Sequence, residues 1–105
     1  MLPVLTAKAM MTIDPVDYPA VLRTLAQAEK LTPTDADVFY LRGRVYEATG
    51  QTREAVAALQ KTIELRPMDP APYYQLGLAY RKLGQTELAQ QTLARMQHVK
   101  QVAAK

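Results

Sequence analysis

Residues 36–69, ADVFYLRGRVYEATGQTREAVAALQKTIELRPMD, fall in register with residues 70–103, PAPYYQLGLAYRKLGQTELAQQTLARMQHVKQVA. At this 34-residue offset eight positions are identical: Tyr40/Tyr74, Gly43/Gly77, Tyr46/Tyr80, Gly50/Gly84, Gln51/Gln85, Thr52/Thr86, Ala55/Ala89 and Leu59/Leu93. Phe39/Tyr73 and Lys61/Arg95 are conservative matches. Identities gathered on Gly, Tyr and Ala mark an internal duplication, and a period of this length marks a stacked repeat. The offset also reaches backwards. Pro33-Thr34-Asp35 pairs with Pro67-Met68-Asp69 and Leu25 with Leu59, so residues 2–35 read as a degenerate first copy.

Each copy reads as two helices. Val38, Leu41, Val45 and Ala48 recur at three- and four-residue spacing and form one helical stripe. Gly50 suits the position just past a helix end, where φ is often positive. Ala55, Leu59, Thr62 and Ile63 form a second stripe that Pro67 closes. Asp35 and Asp69-Pro70 are helix starts, the carboxylate capping free N–H groups and proline fitting the first turn. In the first copy, Asp14-Pro15-Val16-Asp17-Tyr18-Pro19 interrupts any continuous helix after the short stretch Pro3 to Ile13. The expected architecture is all-α, with six helices in three antiparallel pairs and the first helix weak.

Composition sets bounds on function. The chain has 105 residues, 49% apolar and 22% charged, and this predicts one folded domain rather than disorder. It has no cysteine, which excludes disulfides, thiol chemistry and cysteine zinc sites. His98 is the single histidine and has no carboxylate cluster around it, so it reads as a surface helix residue and no metal site is expected. Phosphate-binding glycine loops and nucleophile elbows are absent. Asp35 and Asp37 sit at a helix start, where capping accounts for them better than acid–base catalysis. The expectation is a protein that is not an enzyme and needs no cofactor. No apolar run approaches the roughly 20 residues of a membrane span, and Met1 to Lys8 does not read as a signal peptide. A cytoplasmic location is expected. The net charge of +3 is uneven: residues 81–105 carry Arg81, Lys82, Arg95, Lys100 and Lys105 against Glu87 alone.

The pattern resembles the tetratricopeptide repeat, a 34-residue helix–turn–helix unit. Phe39, Gly43, Tyr46, Gly50, Ala55, Leu59 and Pro67 occupy the family's motif positions in residues 36–69. Tyr73, Leu76, Gly77, Tyr80, Gly84, Ala89 and Leu93 occupy them in residues 70–103, although Gln101 stands where the closing proline belongs. The first copy keeps Ala9, Leu25, Ala28 and Pro33. The resemblance implies a right-handed superhelix of about three repeats, because one hairpin cannot bury its own apolar face. It has Gly43 and Ala55, and again Gly77 and Ala89, let the paired helices approach where a larger side chain would clash. It places Tyr46 and Tyr80 between helices with hydroxyls at a polar edge. Val56 and Ile63 are replaced one copy later by Gln90 and Gln97, so residues 70–103 are expected to carry a polar terminal face. At the other end Leu2, Val4 and Leu5 are expected to leave an apolar edge.

The resemblance further implies a concave groove lined by the first helix of each repeat, holding a peptide or a partner's helix. The groove positions are Asp37, Tyr40, Arg44, Glu47 and Ala48, then Ala71, Tyr74, Leu78, Arg81 and Lys82. Tyr and Arg are the side chains most enriched in binding hot spots. The clamp by which some family members grip a chaperone's C-terminal carboxylate would need Lys, Asn and Arg at Thr6, Met10, Leu41, Ala71 and Gln75, and none fits. The expected function is therefore a non-catalytic protein-interaction module. One alternative is self-assembly as a homodimer through the N-terminal edge. Another is RNA binding through the basic end, disfavoured because no basic stripe repeats in every copy.

Overall fold

A computed structural model describes residues 2–104 and contains six α-helices. They are α1 (Leu2–Met10), α2 (Tyr18–Leu31), α3 (Ala36–Ala48), α4 (Thr52–Leu65), α5 (Pro70–Lys82) and α6 (Thr86–Ala103). No strand occurs among the described residues. Met1 and Lys105 lie outside them, as does the side chain of Leu2. Each helix packs on the next, and the pairs α1–α2, α3–α4 and α5–α6 stack side by side. No described helix is long and apolar enough to cross a membrane.

The chemistry of the helix ends fixes these boundaries. The carboxylates of Asp17, Asp35 and Asp69 accept from the N–H groups of Ala20, Asp37 and Ala71 at 3.1, 2.9 and 3.0 Å. Each cap satisfies a donor that the first helical turn leaves without a partner, worth about 1 kcal/mol. α3 and α5 end alike. Gly50 and Gly84 adopt φ of 79° and 77°, which turns the chain back. The following amides, of Gln51 and Gln85, then donate to the carbonyls of Tyr46 and Tyr80 at 2.8 and 2.9 Å. This is a Schellman closure, and an L side chain at either glycine would sit in a disfavoured backbone region.

Inside each pair a glycine receives a leucine. A Cβ added at Gly43 would come within 3.0 Å of the Leu59 side chain, and one at Gly77 within 2.7 Å of Leu93. Leu59 and Leu93 are thus the side chains that close on these glycines. Ala55 and Ala89 are themselves buried. One core cluster joins α1, α2 and α3 through Val4, Ala7, Val21, Leu25, Val38 and Val45. A second joins α4, α5 and α6 through Leu59, Leu76, Tyr80 and Ala89, with Tyr40, Val56 and Ile63 packed against it. Met10 and Met11 fill in around the first cluster.

The first pair departs from the constant offset. Ala9 is exposed, and Ala7, two residues earlier, is the fully buried small residue of α1. The cause is the connection: residues 11–17 join α1 to α2, whereas 49–51 suffice between α3 and α4. Val4 is buried in the core and does not lie on an exposed edge; Leu5 does, at 58% exposure. Tyr80 accepts a hydrogen bond from the Gln60 amide at 2.9 Å. The residue 34 positions before Gln60 is Ala26, which offers no donor to Tyr46. Gln90 and Gln97 are exposed, whereas Val56 and Ile63 pack on the second cluster.

Candidate functional site

Three first helices, α1, α3 and α5, carry the side chains that the sequence marks for binding. On α3, Asp37, Tyr40 and Arg44 recur at helical spacing and line one cleft of about 340 Å³. Lys8, Met11 and Thr12 close it from the α1 side, and Arg66 and Asp69 close it from the α4–α5 connection. Leu41 contributes to its wall. Tyr40 is shared between two environments, packing on the α4–α6 cluster while lining the cleft.

Ion pairs tie this face together. Lys8 Nζ donates to Asp37 Oδ2 at 3.2 Å, and Arg66 Nη1 donates to Asp37 Oδ1 at 3.1 Å. Arg66 also lies 3.8 Å from the Asp69 carboxylate. Partial burial pushes the Asp37 pKa up, but the two hydrogen bonds and the charges behind them outweigh it and hold the carboxyl below the ordinary aspartate value. One carboxylate therefore links α1, α3 and the connection into α5. Further along, Lys82 Nζ donates to Glu47 Oε2 at 3.1 Å and ties α5 to α3. Among the described residues Glu47 Oε1 is buried with no hydrogen-bond partner.

The ten groove positions thus divide. Asp37, Glu47 and Lys82 are engaged in contacts between neighbouring helices. Arg44 and Arg81 are exposed and make no ion pair among the described residues. Tyr74 is 48% exposed, Leu78 is half-buried, and Ala48 and Ala71 are exposed. Tyr74, Leu78 and Arg81 line no part of the α3 cleft and share their own stripe of α5. Lys8, Met11, Thr12, Arg66 and Asp69 are not among the groove positions read from the sequence, which marks Asp69 only as a helix cap. Lys8 reaches Asp37 only because α1 is offset by the longer connection, and no repeat arithmetic reveals that. Arg66 carried a weak signal, being a cation one residue before the repeat-boundary proline.

A second cleft, about 490 Å³, opens on the opposite side of α5, between α4 and α6. Leu76 and Tyr80 form its floor, with Ile63, Leu88, Thr92 and Arg95 around it. Its counterpart one copy earlier is lined by Phe39, Arg42, Tyr46, Ala57, Ala58 and Lys61. No motif in the sequence singles out this outer furrow. Among the described residues no cluster of His, Asp and Glu could hold a metal ion, and His98 is exposed.

A duplicated helix pair with an exposed first-helix face defines a helical-repeat interaction scaffold. Two family models match it, a TPR repeat over residues 43–84 and a tetratricopeptide repeat over residues 73–98. Together they identify residues 43–98 as tetratricopeptide repeats. Tetratricopeptide repeats mediate protein–protein interactions, so the fold supports a protein-interaction or scaffold module. A crystal structure of MamA is similar with a TM-score of 0.91 and 27% identity, covering 97% of this chain and 58% of that one. A second crystal structure of MamA protein gives 0.87 and 27%, covering 97% and 55%. MamA 41-end from Desulfovibrio magneticus RS-1 is similar in fold, with a TM-score of 0.76, 22% identity and coverage of 81% and 48%. The chain therefore spans little more than half the length of the MamA structures it resembles. Among curated proteins, none matches the sequence.

Proposed function

We propose that the chain holds a peptide or a partner's helix against the face formed by α1, α3 and α5, residues 2–35, 36–69 and 70–103 acting as three repeats of one domain. The observation that carries this is the set Arg44, Tyr74 and Arg81. All three are exposed on first helices, beside the partly buried Tyr40 and Leu78. Tyr and Arg offer large contact area together with hydrogen-bond donors, and they are enriched in interaction hot spots. The triple variant Arg44→Ala, Tyr74→Ala, Arg81→Ala removes only exposed side chains, so its circular dichroism should match the parent. Capture of the native partner should weaken at least about tenfold, the effect of one hot-spot residue or more. Undiminished capture by a folded variant rejects the assignment.

Exposed apolar side chains at the other end support a second reading, self-association. Leu5 and Ile13 are 58% and 61% exposed in and just after α1. Pairing of two copies there predicts a dimer by light scattering that Leu5→Ser with Ile13→Ser converts to monomer. A parent that stays monomeric at high concentration excludes it.

A further inference from the structure

We propose that the occupant of the first-helix face is an acidic polypeptide segment, its carboxylates meeting Arg44 and Arg81 and its apolar side chains meeting Tyr74 and Leu78; this deepens, and rests on, the binding function proposed above.

The charge arrangement carries the inference. Every acid on this face already has a cation: Asp37 has Lys8 and Arg66, Asp69 has Arg66, and Glu47 has Lys82. Arg44 and Arg81 are left over, exposed and without an ion pair among the described residues. Asp37 and Glu47 could turn to serve them only by giving up contacts that join neighbouring elements. The Glu47–Lys82 contact of 3.1 Å joins the C-terminal parts of α3 and α5, on which the two arginines stand. Arg44 stands one helical turn before Glu47 on α3, and Arg81 directly precedes Lys82 on α5. From α3 to α5 the face also grows more basic, since Ala71 stands one repeat after Asp37 and Arg81 one repeat after Glu47. A basic occupant would place its cations against both free guanidinium groups, whereas carboxylates meet them with bidentate hydrogen bonds. Tyr74 and Leu78, on the same stripe of α5, add apolar area for side chains; a nucleic acid could stack a base on Tyr74, but its backbone needs a continuous basic track, and here two free arginines stand among paired acids, so a polypeptide fits better.

Three labelled synthetic peptides of equal length test this, each alternating Leu with Glu, Gln or Lys. The Glu peptide should bind at least about tenfold more tightly than the Gln and Lys peptides at low salt, an advantage that shrinks as salt rises. Arg44→Gln with Arg81→Gln should remove that advantage. Arg95→Gln with Lys100→Gln, on the exposed side of α6, should leave it intact. If the Gln or Lys peptide binds as well and Tyr74→Ala weakens it, the face binds polypeptide but the acidic preference is wrong. If the Glu peptide responds to the α6 variant instead, or no peptide responds to Tyr74→Ala, the binding face itself is misassigned. Single-stranded RNA displacing the Glu peptide more strongly than the Leu–Glu sequence competes for itself would overturn the choice of polypeptide.

Discussion

Leu59 shows how a single side chain holds two layers of this molecule. It is fully buried, fills the space that Gly43 leaves on α3, and belongs to the cluster with Leu76 and Tyr80 on α5. Leu59→Ala removes contacts to both neighbours and leaves a cavity, because rigid helices on either side cannot close over it. The expected loss is about 2–5 kcal/mol, read as a lower denaturant midpoint. A loss below about 1 kcal/mol would mean that the site collapses freely and that the two layers are not locked through it. Much at this scale was legible in the sequence. Asp35 and Asp69 cap helices and Gly50 turns at positive φ as their residue types require, since capping and left-handed backbone depend on near neighbours only. The partner of Gly43 was not legible, because contact across a helix pair depends on axial offset.

At the scale of the element, α1 is the informative case. Its small buried residue is Ala7 rather than Ala9, since the seven-residue connection at 11–17 shifts the helix against α2. A constant repeat period holds only while connections keep their length, and the degenerate copy breaks that condition. The shift brings Lys8 to Asp37, and with Arg66 it converts a groove candidate into a tie among three elements. The Asp37 carboxyl titrates below its ordinary value, so it binds protons less readily in the folded chain than in the unfolded one. Its stabilising contribution is complete above the ordinary aspartate pKa of about 4 and disappears as pH falls through the lower folded value. Asp37→Asn should therefore be less stable than the parent near neutral pH, with the two denaturation midpoints converging below about pH 4. Curves that stay parallel across this range would show that the carboxylate is not the tie.

On the scale of the whole molecule, stacking produces two unlike sides. The side built from first helices carries Tyr40, Arg44, Tyr74, Leu78 and Arg81. The other opens the furrow over Leu76 and Tyr80 between α4 and α6. The repeat and its family were readable because a 34-residue period places equivalent residues in equivalent surroundings. The outer furrow was not, since its lining comes from three helices of two repeats and only packing brings them together. Each side carries a natural reporter of similar exposure, Tyr74 at 48% and Leu88 at 42%. Hydroxyl-radical footprinting of the chain, alone and bound to the partner it captures, compares the two within one sample. Oxidation of Tyr74 should fall several-fold on binding while that of Leu88 stays unchanged; protection of Leu88 with Tyr74 unaffected would put the partner on the outer side and contradict the assignment of the first-helix face.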